Sequence, residues 1–157
     1  MSGQIENISS DLIWEIVRNN NAYLVKRKGY GGVQFSRDPF NLTNKHARKY
    51  EGFVNDKAIG ITADSPNTVG LTTKTSRHNK PARAHHTTSF SSNTSGRKIY
   101  RSVVNSTAKK GYRSDLRAHA VARASAVKLS QREKKDAPAA KPRGAKAKKA
   151  AEKSESA

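Results

Sequence analysis

The chain has 157 residues, 31 of them Lys or Arg and 12 Asp or Glu, giving a formal net charge of +19, and it has no cysteine. That composition excludes a disulfide framework, a thiol nucleophile and any zinc site built on cysteine, and it points to a polyanionic partner. Hydrophobic residues make up only 34% and thin out toward the C-terminus, so one small domain is expected, with a core drawn from roughly the first 130 residues.

Residues 1–10 read as an N-terminal extension, and Met1 to Asp11 lacks the basic and apolar regions of a secretory signal. No apolar run is long enough to span a bilayer, so an intracellular location with no membrane partner is expected. A β-rich domain is expected over residues 11–74. Leu12 to Arg18 is rich in branched and aromatic residues and closes on Asn19, Asn20 and Asn21, which predicts a strand. Ala22 to Arg27 reads as its partner in an antiparallel hairpin, with Trp14 as core anchor beside Ile16 and Leu24. Lys28-Gly29-Tyr30-Gly31-Gly32 is a loop, because three glycines in five positions cost too much backbone entropy in a regular element. A short strand from Val33 to Ser36 follows, then an irregular segment from Arg37 to Asn44, with Phe53 and Val54 returning to the core.

Ala58 to Ala63 and Thr68 to Lys74 alternate on either side of the turn formers Asp64-Ser65-Pro66-Asn67. They predict a second hairpin with Ile61 and Leu71 in the core, and Gly60 and Gly70 mark a bulge or a close backbone approach. Nothing periodic survives in residues 75–96, a basic and Ser/Thr-rich stretch that reads as a loop ordered by RNA. Helical period returns in residues 97–130 as two basic helices packed on the sheet. Ile99, Val103 and Thr107 mark the first, which ends at Lys109-Lys110-Gly111, and Leu116, Ala120, Ala124 and Val127 mark the second. The Ala/Lys-rich tail, 131–157, lacks an apolar face. The fold class is therefore α+β: a small antiparallel sheet of hairpins packed with two C-terminal helices, plus a basic extended tail.

Charge is unevenly placed. Residues 68–130 hold thirteen Lys or Arg and a single acid, Asp115. The thirteen are Lys74, Arg77, Lys80, Arg83, Arg97, Lys98, Arg101, Lys109, Lys110, Arg113, Arg117, Arg123 and Lys128, and they are expected to contact RNA phosphates, which would also relieve their mutual repulsion. Tyr30, Tyr50, Phe90 and Tyr112 offer stacking surfaces or core positions. Asp115 follows Ser114 at a helix start, where a carboxylate complements exposed N–H groups, so it reads as structural. His85-His86 has no Asp, Glu or Cys nearby in sequence, and His46, His78 and His119 lack ligand spacing, so no metal site is expected. No Ser-His-Asp motif, phosphate-cradling loop or carboxylate pair is evident, so catalysis, a cofactor and a small-molecule substrate are not expected.

Three segments carry a family likeness: LIWEIVRNNNAYLVKR from Leu12 to Arg27, FSRDPFNLTNKHARKY from Phe35 to Tyr50, and YRSDLRAHAVARASA from Tyr112 to Ala126. Together they resemble the eukaryotic large-subunit ribosomal protein family number twenty-eight over roughly residues 10 to 130, and the central motif stands close to fungal versions. The resemblance implies a small mixed α/β domain without catalytic activity, a structural part of the cytosolic large subunit that supports translation. Its implied partners are large-subunit ribosomal RNA and neighbouring ribosomal proteins, with nucleolar transit during assembly. A ribosome-assembly factor that shares this domain, or a chromatin-type protein that compacts nucleic acid, is the alternative reading.

Overall fold

The computed structural model describes residues 8–29, 31–77, 80–133, 136 and 143–149. It opens with a helix where the sequence predicted a strand. Helix α1 spans Ser10–Val17, and Ser9 caps it by accepting the Leu12 N–H at 3.3 Å, with Asp11 in the first turn. At the other end the Asn21 side chain donates to the Val17 carbonyl at 3.1 Å. Arg48 fixes the helix in place by donating to Asp11 at 2.9 Å and to Ser10 Oγ at 2.8 Å. These caps and the tertiary clamp override the β-propensity of the Leu-Ile-Trp run. The core assignments made on that predicted hairpin are not fulfilled. Trp14 is half-buried against the His46 ring with centroids 5.0 Å apart, Leu24 is half-buried, and Ile16 is 70% exposed.

The first hairpin forms one step later than predicted. Strand β1, Leu24–Lys26, pairs antiparallel with β2, Gln34–Ser36, across the glycine loop. Gly31 and Gly32 take φ of +80° and +78° there, a region open to glycine at little cost.

The second hairpin is as expected. Strands β3, Ile59–Ala63, and β4, Val69–Lys74, pair without interruption from Ile59↔Thr73 to Ala63↔Val69. The close approach predicted at Gly60 is present without a bulge. A Cβ there would stand 3.1 Å from the Pro39 carbonyl oxygen and 3.2 Å from the Phe40 ring.

A third strand, β5, His85–Phe90, lies within the stretch read as a loop and pairs antiparallel with β4 from Lys74↔His85 to Val69↔Phe90. Its residues are exposed or half-buried, so the backbone ladder on β4 holds it rather than a buried face. That is why no apolar alternation announced it. Thr72 and Thr87 add a cross-strand hydroxyl contact at 3.2 Å.

Helices α2, Gly96–Ser106, and α3, Arg117–Ser130, pack on the β3–β4–β5 sheet. The core joins Ile59, Ile61, Val69 and Leu71 of the sheet to Ile99 and Val103 of α2 and to Leu116, Ala120 and Ala124 around α3. Burial of Ile61, Leu71 and Leu116 matches expectation, and Val127 packs half-buried at the rim. Alanines at 120 and 124 let α3 approach the sheet closely, since any larger side chain would separate the layers. Two small antiparallel sheets with helices make the α+β class. Within the tail, residues 145–149 form one short helical turn, and the rest of the tail mostly lies outside the described residues.

Residues 37–57 are irregular yet ordered by side chains. Asp38 accepts the N–H of Phe40 at 3.0 Å and of Phe53 at 2.8 Å, and Asn41 accepts the Thr43 N–H at 3.1 Å while donating to the Lys45 carbonyl at 2.8 Å. Glu51 is fully buried. It accepts from Ser36 Oγ at 3.0 Å and lies 3.1 Å from His46 Nδ1, while the other ring nitrogen of His46 is 2.7 Å from the Arg18 carbonyl. Burial raises the Glu51 pKa above its ordinary value, offset in part by these hydrogen bonds. This chain of contacts joins α1 to the body of the domain.

Candidate nucleic-acid interface

The thirteen cations separate into two groups once their partners are known. Lys74 is buried, and its Nζ donates to the Asn55 carbonyl at 3.0 Å while lying 5.8 Å from the centre of the Phe40 ring. Burial lowers its pKa, and Asp38 and Asp56 counteract this in part. It faces the interior, contrary to its expected place on an RNA surface. Arg113 is likewise engaged within the chain. It takes a left-handed backbone at φ 48° and donates to the Lys57 and Lys49 carbonyls at 2.9 Å each. It also holds both Asp115 oxygens at 2.9 Å. Arg113 thereby lowers the Asp115 pKa, chiefly through its hydrogen bonds. Asp115 sits in the 3-10 turn Ser114–Leu116 that leads into α3, as a helix-start residue should, but its partner is Arg113 rather than free N–H groups.

Lys128 reaches back from α3 to donate to the Ser92 carbonyl at 2.9 Å. Arg123 is half-buried with its Nε enclosed and unpartnered. The others are exposed. Arg77, Lys80 and Arg83 surround the 3-10 turn Pro81–Arg83, Arg97, Lys98 and Arg101 lie along α2, Lys109 and Lys110 follow it, and Arg117 opens α3.

Three of these converge. Tyr100, Arg101, Val104, Asn105 and Lys109 on one side, with Arg117 and Val121 on the other, line a cleft of about 360 Å³ between α2 and α3. Its walls hold three cations and no acid. The convergence follows from helix geometry, since Arg101 and Asn105 are four residues apart on one face of α2 and the Gly111 turn swings α3 back beside it. Gly111 takes φ +69° at that turn. A smaller cleft of about 250 Å³ lies between the sheet and the end of α2, lined by Leu71, Thr73, His86, Thr88, Ser106 and Lys110.

The aromatic residues divide similarly. The Tyr112 hydroxyl accepts the Ala58 N–H at 3.1 Å and lies 2.8 Å from the Lys74 carbonyl, Tyr50 packs edge-on against His119, and Phe90 packs on the core. Tyr30 is outside the described residues. Tyr100 and Asn105 are not among the sequence candidates. The four-residue spacing of Arg97, Arg101 and Asn105 was the available signal. His85 stacks on Phe40 at 5.1 Å. Among the described residues no three His, Cys, Asp or Glu side chains group as a metal site would require, and no helix is long and apolar enough to cross a membrane.

A profile of the ribosomal L28e protein family matches residues 12–130. The chain belongs to this family. The match ends at Ser130, the last residue of α3, and begins within α1. Among L28e relatives, large ribosomal subunit protein eL28 of Schizosaccharomyces pombe is 47% identical over 131 residues, covering 82% of this chain and 97% of the relative. The eL28 of Dictyostelium discoideum is 34% identical over 134 residues, covering 85% and 97%. That of Caenorhabditis elegans is 36% identical over 84 residues, covering 54% and 64%.

Proposed function

We propose that this L28e chain is a structural constituent of the cytosolic large ribosomal subunit and stabilises folded ribosomal RNA through Lys and Arg contacts to phosphate. The observation that carries this reading is the acid-free convergence of Arg101, Lys109 and Arg117 between α2 and α3, within a domain whose relatives bear a large-subunit name. Arg77, Lys80, Arg83, Arg97, Lys98 and Lys110 are further exposed cations available for phosphate contact. Lys74 and Arg113 drop out because their charges are satisfied inside the chain. Recognition would rest on RNA shape and backbone, with neighbouring ribosomal proteins completing the contact and the nucleolus as the site of assembly.

The test is incorporation. Cells expressing tagged wild type or the Arg101→Glu/Arg117→Glu double variant are lysed, and the large subunits are sedimented after a moderate salt wash. The variant is expected to fall to about a tenth of wild-type occupancy, because charge reversal turns phosphate attraction into repulsion. Equal occupancy would refute this placement, and wild type migrating with chromatin instead of large subunits would refute the ribosomal reading.

A further inference from the structure

The cleft between α2 and α3 is more than a cationic patch. Phosphate contact needs only exposed charge, which Arg97 and Lys98 already present on the open face of α2. This cleft also holds Val104 and Val121 as apolar walls, the Tyr100 ring, and the Asn105 side-chain amide. Tyr100 is packed against the core, and its hydroxyl lies over Gly96, where an added Cβ would come within 3.1 Å of it. The ring is thus held in position before any ligand arrives.

We propose that this cleft receives one unstacked nucleobase of the bound RNA. The base lies against Tyr100, Val104 and Val121, Asn105 hydrogen-bonds its edge, and Arg101, Lys109 and Arg117 hold the phosphates on either side. The inference rests on the RNA reading above and names the chemical group that the site takes. An occupant that is planar and apolar at one end and anionic at the other matches the mixed lining, and the absence of any acid among the walls favours an anion. The smaller cleft is an internal contrast. It is smaller, at about 250 Å³, and holds a single cation, Lys110, beside His86 and the hydroxyls of Thr73, Thr88 and Ser106, so it lacks the several phosphate anchors of the larger cleft.

The experiment titrates adenosine 5′-monophosphate, uridine 5′-monophosphate and ribose 5-phosphate into the full-length protein and follows the Val104 and Val121 methyl resonances by NMR. Both nucleotides should shift these methyls and bind at least about fivefold more tightly than ribose 5-phosphate, the lower end of what stacking one base contributes. Val121→Trp, which fills the cleft, should reduce nucleotide affinity to the ribose 5-phosphate level. Should that variant misfold, Asn105→Ala at an exposed position should weaken nucleotide binding by roughly threefold and leave ribose 5-phosphate unchanged. Ribose 5-phosphate binding as tightly as the nucleotides would overturn the base site, as would displacement of the nucleotide by an equal concentration of a glutamate-rich heptapeptide. Filter binding of total large-subunit ribosomal RNA separates the two levels. Retained RNA binding with no preference for the nucleotides over ribose 5-phosphate overturns only the base site, whereas absence of RNA binding by wild type overturns the RNA reading itself.

Discussion

Replacing Tyr112 with Phe removes a single oxygen from the open end of the β3–β4 hairpin. That oxygen accepts the Ala58 N–H at 3.1 Å and lies 2.8 Å from the Lys74 carbonyl and 3.2 Å from that of Ala58, beside the direct Lys74 N–H to Ala58 carbonyl bond at 3.2 Å. Without it, the buried Ala58 N–H and the Lys74 carbonyl lose partners that water cannot readily replace. Leaving one such group unsatisfied costs about 1–3 kcal/mol, so a loss of roughly 2–3 kcal/mol is expected for the variant. At about 2–4 °C per kcal/mol for a chain of this size, the thermal midpoint should fall by about 4–12 °C. Far-ultraviolet circular dichroism melts at neutral pH measure it directly. The Tyr112 pKa is raised mainly by burial. Folding therefore favours the neutral phenol, a contribution present below the ordinary value of 10.0 and lost as pH climbs past it, so the gap between wild type and variant should narrow in strong alkali. A midpoint within about 1 °C of wild type would show that the hydroxyl network contributes nothing, and the argument from orphaned groups would fail.

Gly52→Ala should be more damaging than its size suggests, because the new Cβ would lie 2.1 Å from the Phe40 Cβ and 3.1 Å from that of Ala58. A loss of about 3 kcal/mol in urea unfolding is expected. Glu51→Gln probes the raised Glu51 pKa. A raised pKa gives stability that is present below the ordinary 4.5 and lost as pH rises through the folded value. A neutral amide that donates to His46 and accepts from Ser36 avoids that loss, so the variant should match wild type at about pH 4 and exceed it near pH 8. A variant less stable at the higher pH would contradict this. Ile16→Ser should change stability by less than about 0.5 kcal/mol, since the residue is 70% exposed. A large loss would restore Ile16 to the core. Arg113→Ala should lower the unfolding free energy from urea melts by about 1–2 kcal/mol, whereas exposed Arg117→Ala should leave it within about 0.5 kcal/mol.

Much was legible because it depends on local chemistry. The β3–β4 hairpin could be read from alternation around Asp64-Ser65-Pro66-Asn67, and α2 and α3 from the four-residue recurrence of Ile99 and Val103 and of Leu116, Ala120 and Ala124. Two elements were not legible, for opposite reasons. In α1 the branched residues signalled a strand, but Ser9, Asp11 and the distant Arg48 stabilise a helix. In β5 the Thr- and Ser-rich residues signalled nothing, because the strand exists only where β4 offers it hydrogen-bonding partners.

The sequence by itself determined the charge, the apolar periodicities and the family, and these limited the candidate partner to a polyanion and the candidate surface to the C-terminal half. Charge and periodicity are properties of residue identity and spacing, and they survive without coordinates. Only the tertiary structure decided which cations are free. Lys74 and Arg113 look like their neighbours in the sequence, yet one donates to the Asn55 carbonyl and the other to Lys49, Lys57 and Asp115, while Arg101, Lys109 and Arg117 meet across a cleft. A cation's availability depends on what folding brings within hydrogen-bond distance of it, and contacts between residues far apart in the chain are formed only when the helices close on the sheet.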